Sequence, residues 1–131
     1  MPCRDQAFDT VREELPGAPS SARVARRLVQ RVLREWDLLG LEDQAVILAN
    51  ELATNALLHA RGALCLELTR CAGAVRISLF DTSPARPARR RAGPFAGSGR
   101  GLTMVADHAD RWGVEGAAAP WVKVVWFELD L

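Results

Sequence analysis

Glu51 and Asn55 stand one helical turn apart in "ELATNALLHA" (residues 51–60), and their types could do chemistry. At i and i+4 on a helix they emerge as neighbours on one face. A carboxylate so placed can serve as a general base, and an amide oxygen is a hard ligand of the kind Mg²⁺ accepts beside water and phosphate. Both groups are costly to bury without partners. The alternative is a pair satisfied by backbone or by each other, and the spacing alone leaves both open. A second feature is "GSGRGL" (97–102), in which Gly97, Gly99 and Gly101 alternate just before an apolar periodic run. Such glycines let the chain turn tightly and aim N–H groups at an anion beside the positive end of a helix, although the spacing is not that of the common P-loop. Third, Asp81 closes "AVRISLF" and opens "DTSP". Its carboxylate can accept from an exocyclic amine such as that of adenine, or fold back in an Asx-turn.

The elements that must position these groups follow from periodicity. Residues 8–15 read as a strand, and "PGAPSS" makes a turn that supplies Ser20 or Ser21 as a helix N-cap. From 22 to about 39, Ala25, Leu28, Val29, Val32, Leu33 and Trp36 share one face, with Arg27, Arg31, Arg34 and Glu35 off it, and Gly40 ends the helix. A second helix runs from Leu41 to Ala60. It reads apolar all round, with Ile47, Leu48, Leu52, Leu57 and Leu58 surrounding a narrow stripe of small residues, so it is expected to be buried all round. Leu64, Leu66, Leu68 and then Val75, Ile77, Leu79 alternate in two strands joined by "RCAG", an antiparallel hairpin. A Pro-, Arg- and Gly-rich loop from Thr82 to about Gly99 precedes a third helix, "GLTMVADHADRW", and "WVKVVWFEL" closes the chain as a strand. The order is strand, helix, helix, strand, strand, loop, helix, strand, strand. Helices grouped with hairpin strands imply a two-layer α/β sandwich.

Composition narrows the classes. With 131 residues, 49% hydrophobic and 25% charged, the chain fits one globular domain, residues 1–131. A net charge of +1 provides no global pull toward nucleic acid or an anionic membrane. No apolar run approaches the roughly 20 residues of a membrane helix, and the start lacks a secretory apolar region, so a cytoplasmic protein is expected. Cys3, Cys65 and Cys71 form neither an even framework nor a CxxC pair, and are read as small apolar side chains with at most one free thiol, in a reducing compartment. Nearly all basic residues are arginine, as in a GC-rich bacterial genome.

Taken in order, "ELATNALLHA", "DTSP" and "GSGRGLTMV", with "DRWGV" and "VVWFELDL" behind them, resemble the histidine-kinase-like ATPase (GHKL) superfamily. Within it the chain is most similar to the small anti-sigma factor serine kinases and related actinobacterial ATP-binding regulators. The resemblance spans nearly all of the chain from the first helix onward. It implies a Bergerat-type ATP-binding fold, a mixed, mostly antiparallel sheet covered on one face by three helices. It makes Glu51 the acidic residue that polarises the attacking hydroxyl or water, and Asn55 the ligand of the Mg²⁺ bridging the phosphates. Asp81 reads the adenine amino group, with water near Ser83. Gly97, Gly99, Arg100 and Gly101, followed by Leu102, correspond to the second glycine box at the phosphates, and residues 82–98 to the ATP lid. His59 matches a position where relatives often have His, and could equally cap the helix end. Leu58 stands where many relatives have a basic residue, and Val124 where they have a hydroxyl.

The function implied is an ATP- and Mg²⁺-dependent serine/threonine kinase. It would phosphorylate an anti-sigma factor antagonist of STAS type and, as a homodimer, sequester a sigma factor. The alternative is an ATP-binding module acting by partner binding alone. Arg86, Arg89, Arg90 and Arg91 fall in the lid without interleaved aromatics, which favours a solvated face over a phosphate or acidic-partner contact, and both over a direct nucleic-acid patch.

Overall fold

The computed structural model describes residues 7–59, 62–84 and 97–131, with the side chains of 59 and 97–101 excluded. The expectations for Cys3, for Arg86 to Arg91 and for most of the lid lie outside the described residues. The elements are β1 (Ala7–Leu15), α1 (Ser20–Glu35), a 3-10 turn (Leu39–Leu41), α2 (Glu42–His59), β2 (Leu64–Cys71), β3 (Ala74–Asp81), α3 (Gly97–His108), β4 (Arg111–Gly116) and β5 (Lys123–Asp130). The sheet has five strands in the order β1-β2-β3-β5-β4. Every pairing is antiparallel, so the sheet is not mixed.

Strand alternation builds the core as expected. Leu64, Leu66 and Leu68 of β2, Val75, Ile77 and Leu79 of β3, and Val125, Phe127 and Leu129 of β5 lie in one buried cluster with Ala25, Leu28, Val29, Val32 and Leu33 of α1. Successive strand residues point to opposite faces, so these rows mark the face that the helices cover. The fold is therefore a two-layer α/β sandwich. Among the described residues no helix is long and apolar enough to cross a membrane.

The ends of the elements depart from expectation for local reasons. Neither Ser20 nor Ser21 caps α1; Pro19 occupies the N-cap, and the Ser21 hydroxyl donates to the Pro16 carbonyl instead. Gly40 does not end α1 either. Asp37, at φ 60°, closes it, with Leu38 N–H donating to Leu33 O at 2.8 Å and Asp37 N–H to Arg34 O at 3.1 Å. These are the two bonds of a Schellman closure, and Leu38 packs on the core beyond it. Arg70 and Cys71 extend β2, leaving only Ala72 and Gly73 in the hairpin turn. The helix read as starting at Gly101 starts at Gly97, and it stops at His108 because Arg111 and Trp112 pair with β5.

Gly17, before α1, passes against the turn that follows α2. A Cβ there would stand 2.0 Å from the Gly62 carbonyl oxygen, a backbone atom that cannot swing aside. Gly17→Ala is expected to lower stability by about 1–3 kcal/mol in urea denaturation. Gly40→Ala, which meets nothing within 4 Å, should stay within about 0.5 kcal/mol of wild type.

Cysteine usage is corrected in one respect: Cys71 is disulfide-bonded, while Cys65 is a buried free thiol. Spacing along a chain does not report which sulfurs meet in space, and with this bond the cysteines no longer point to a reducing compartment. Burial pushes the Cys65 thiol above its ordinary value of 9.0, against the downward pull of the Arg12 guanidinium, whose Nε lies 3.1 Å from the sulfur. The unfolded thiol therefore ionises first as pH rises, and its protons are lost before those of the folded state. Stability should fall as pH climbs from about 9 toward the higher folded value, and Cys65→Ala should remove that part of the decline in denaturation curves.

Candidate functional site

Helix α2 carries the central pair. It packs between α1 and α3 and over β3, and its remaining side is open. Asp43, Ile47, Thr54 and Leu58 are exposed along that side, Ile47 at 51% and Leu58 at 59%, so α2 is not buried all round. Its apolar circumference exceeds what its neighbours can cover. Glu51 sits on this open stripe and is half-buried; among the described residues it makes no hydrogen bond or ion pair. Asn55, about 40° further round at 100° per residue, turns inward and is 7% exposed. Its Oδ1 is buried with no hydrogen-bond partner among the described residues. An unpaired buried acceptor carries a desolvation cost of about 1–3 kcal/mol, so it calls for an explanation.

The glycine run is brought to the same place by the packing of α3. Gln44 Nε2, near the start of α2, donates to the carbonyl of His108, the last residue of α3, at 2.7 Å, and Leu48 and Met104 line the cleft beside this contact. Numbers rise along α2 as they fall along α3, so the two helices run antiparallel. The same count of residues separates Gln44 from Asn55 as separates Gly97 from His108, roughly 16 Å at ~1.5 Å per residue. The first turn of α3 is therefore level with Asn55, and Gly101 with Glu51. The leading N–H groups of a helix have no intrahelical acceptor and sit at the positive end of its dipole. Gly97, Gly99, Arg100 and Gly101 thus lie within the first turns of α3, not ahead of it.

Asp81 completes the arrangement from the sheet. It continues the core-facing row Val75, Ile77, Leu79 to the end of β3 and is 1% exposed, so its carboxylate lies under the helices. The strand end is the one that β2 starts from, because Cys65 pairs with Phe80, and β2 starts a few residues after α2 ends. Asp81, the C-terminal half of α2 and the N-terminus of α3 thus converge at one end of the sandwich. Ser83 N–H donates to Asp81 Oδ1 at 2.8 Å, the Asx-turn foreseen as the alternative. The same oxygen is 3.4 Å from Lys123 Nζ, and Val122 N–H donates to the Asp81 carbonyl at 2.8 Å. Ser83 itself is buried, at 6% exposed.

Lys123 is the residue that sequence reasoning missed. It pairs with Asp81 in the β3–β5 register and is 8% exposed, with Nζ also 3.5 Å from the Ser83 carbonyl. The signal was present: the odd residues of "KVVWFEL" are the core row, and a lysine heading that row needs an anion. Val124 pairs with Phe80 and so lies on the opposite face of the sheet from Asp81. Leu102 is 1% exposed within the hydrophobic core, where it anchors the start of α3.

No described group of three or more His, Cys, Asp or Glu residues comes together. A cation here would take an amide oxygen, with water and phosphate as its other ligands, the mixture that suits Mg²⁺. The unpartnered Asn55 Oδ1 fits that role. A scan against protein-family models finds no match for the chain, and a search of curated proteins finds none either.

Proposed function

We propose that this chain is a Bergerat-type ATP-binding regulator of the anti-sigma factor serine kinase kind. The observation that carries the reading is the buried Asn55 Oδ1, left without a partner among the described residues at the end of the sandwich where a helix N-terminus and a buried carboxylate also converge. Nucleotide and Mg²⁺ would supply an anion at the helix N-terminus, a cation at Asn55 Oδ1 and a donor at the second oxygen of Asp81. Asp81 Oδ2 accepts from the adenine amino group, since Oδ1 is taken by Ser83 N–H and Lys123. The opening N–H groups of α3, at Gly97, Gly99 and Arg100 with Gly101 behind them, face the phosphates. Asn55 Oδ1 would hold Mg²⁺, whose charge would offset that of the phosphates. Glu51, reachable from solvent, takes the proton of the attacking hydroxyl of a Ser or Thr in a STAS-type antagonist. Phosphoryl transfer depends chiefly on such positioning, so this small set is sufficient. As a cytoplasmic homodimer the protein would hold a sigma factor until the unphosphorylated antagonist displaced it.

Calorimetric titration of ATP with and without Mg²⁺ tests the reading directly. Binding strengthened by Mg²⁺ supports it, and binding indifferent to Mg²⁺ removes the metal assignment.

A second reading is favoured by Leu58. It lies exposed on the same open stripe of α2 as Glu51, an apolar side chain where many relatives of the resembled family offer a cation. A nucleotide that only sets the conformation of a partner-binding surface would suit it. Partner binding that survives Glu51→Ala with unchanged biological output would support that reading over the kinase.

A further inference from the structure

We propose that Lys123 is a positioning residue that sets the base preference of this site, by holding the Asp81 carboxylate so that it reads a 6-amino purine. The proposal rests on the nucleotide-binding reading above. The cation is itself almost wholly buried and heads the core-facing row of β5, directly across the register from Asp81. Its Nζ lies 3.4 Å from Asp81 Oδ1 and 3.5 Å from the Ser83 carbonyl, so one ammonium ties the carboxylate to the turn that follows it. Ser83 N–H lands on the same Oδ1 at 2.8 Å. A hydrogen bond and an ion pair on one oxygen hold the carboxylate in place and leave Oδ2 as the acceptor for a ligand. A fixed, acceptor-only edge discriminates sharply. It bonds the N–H of a 6-amino group and repels the carbonyl oxygen that replaces it in a 6-oxo purine. Without the ammonium, the carboxylate keeps the backbone N–H of Ser83 as its one described donor, loses its charge partner in a buried setting and can turn about its terminal torsion. The discrimination should then weaken even though the phosphate and metal contacts are untouched.

The experiment compares ADP with IDP, which differ at position 6 of the purine, by calorimetry on the full chain. Wild type should bind ADP at least about tenfold more tightly than IDP. In Lys123→Met the ratio should fall toward one, mainly through weaker ADP binding, with IDP affinity changing much less. Lys123→Arg, which keeps a cation in place, should retain most of the preference. A Lys123→Met that weakens ADP and IDP by the same factor overturns the proposal, because loss of structure alone would do that. So does a Lys123→Arg that loses the preference as fully as Lys123→Met. Wild type that binds ADP and IDP equally overturns the proposal while leaving nucleotide binding in place, whereas wild type that binds neither defeats the underlying reading as well. If Lys123→Met does not fold, Lys123→Gln, which keeps a donor and removes the charge, is read by the same ratios.

Discussion

Asn55→Ala is expected to abolish the strengthening of ATP binding by Mg²⁺ and to leave the stability of the ligand-free protein within about 1 kcal/mol of wild type, or to raise it. The two halves of this result come from one atom. Asn55 Oδ1 is buried with no partner among the described residues, so its removal relieves a desolvation cost and breaks no described hydrogen bond. A buried asparagine held for structural reasons would behave in the opposite way, losing several kcal/mol on truncation because its partners would be stranded. Ligand linkage makes the functional half measurable in the same denaturation experiment. At a hundred times Kd a nucleotide stabilises the folded state by about 2.7 kcal/mol, and the Mg²⁺-dependent part of that shift should vanish in the variant. An Asn55→Ala protein that is strongly destabilised, or that keeps its Mg²⁺ effect, would sink the assignment.

Glu51→Gln should reduce phosphoryl transfer to an antagonist by about 10²–10⁴-fold while changing ATP·Mg²⁺ affinity only a few-fold. Gln has the shape of Glu but cannot take a proton. The site is half-buried on the open stripe of α2 and makes no described hydrogen bond, so stability should move by no more than about 0.5 kcal/mol. Incubation with labelled ATP and candidate antagonists reads the transfer, and calorimetry reads the affinity. Unchanged transfer in the variant would remove Glu51 from the chemistry. Wild type that binds ATP tightly yet transfers to no antagonist would favour the partner-binding module, in line with the exposed Leu58 beside it.

Much of the frame was legible in the chain because it is written in short periods. The alternations Leu64, Leu66, Leu68 and Val75, Ile77, Leu79 each face the core, and the face of α1 from Ala25 to Trp36 is buried as its spacing requires. Those patterns depend on a residue and its neighbours two to four places away. The misread ends depend on more. Asp37, not Gly40, closes α1, because Leu38 reaches back to Leu33 and docks on the core. The spread of apolar residues around helix α2 predicts burial on every side, but exposure on Ile47 and Leu58 depends on how many neighbours the fold sets around it. The disulfide at Cys71 was invisible for the same reason.

By itself, then, the sequence determined the element order, the two-layer class and the candidate residues Glu51, Asn55, Asp81 and the 97–101 run, since residue type and local period suffice for these. Only the tertiary structure decided that Asn55 Oδ1 has no described protein partner, that the antiparallel packing of α2 on α3 brings Gly97 level with it, and that Lys123 faces Asp81 across the sheet. Each of those facts joins residues far apart in the chain, and strand register and helix packing, not local preference, set the distance between them.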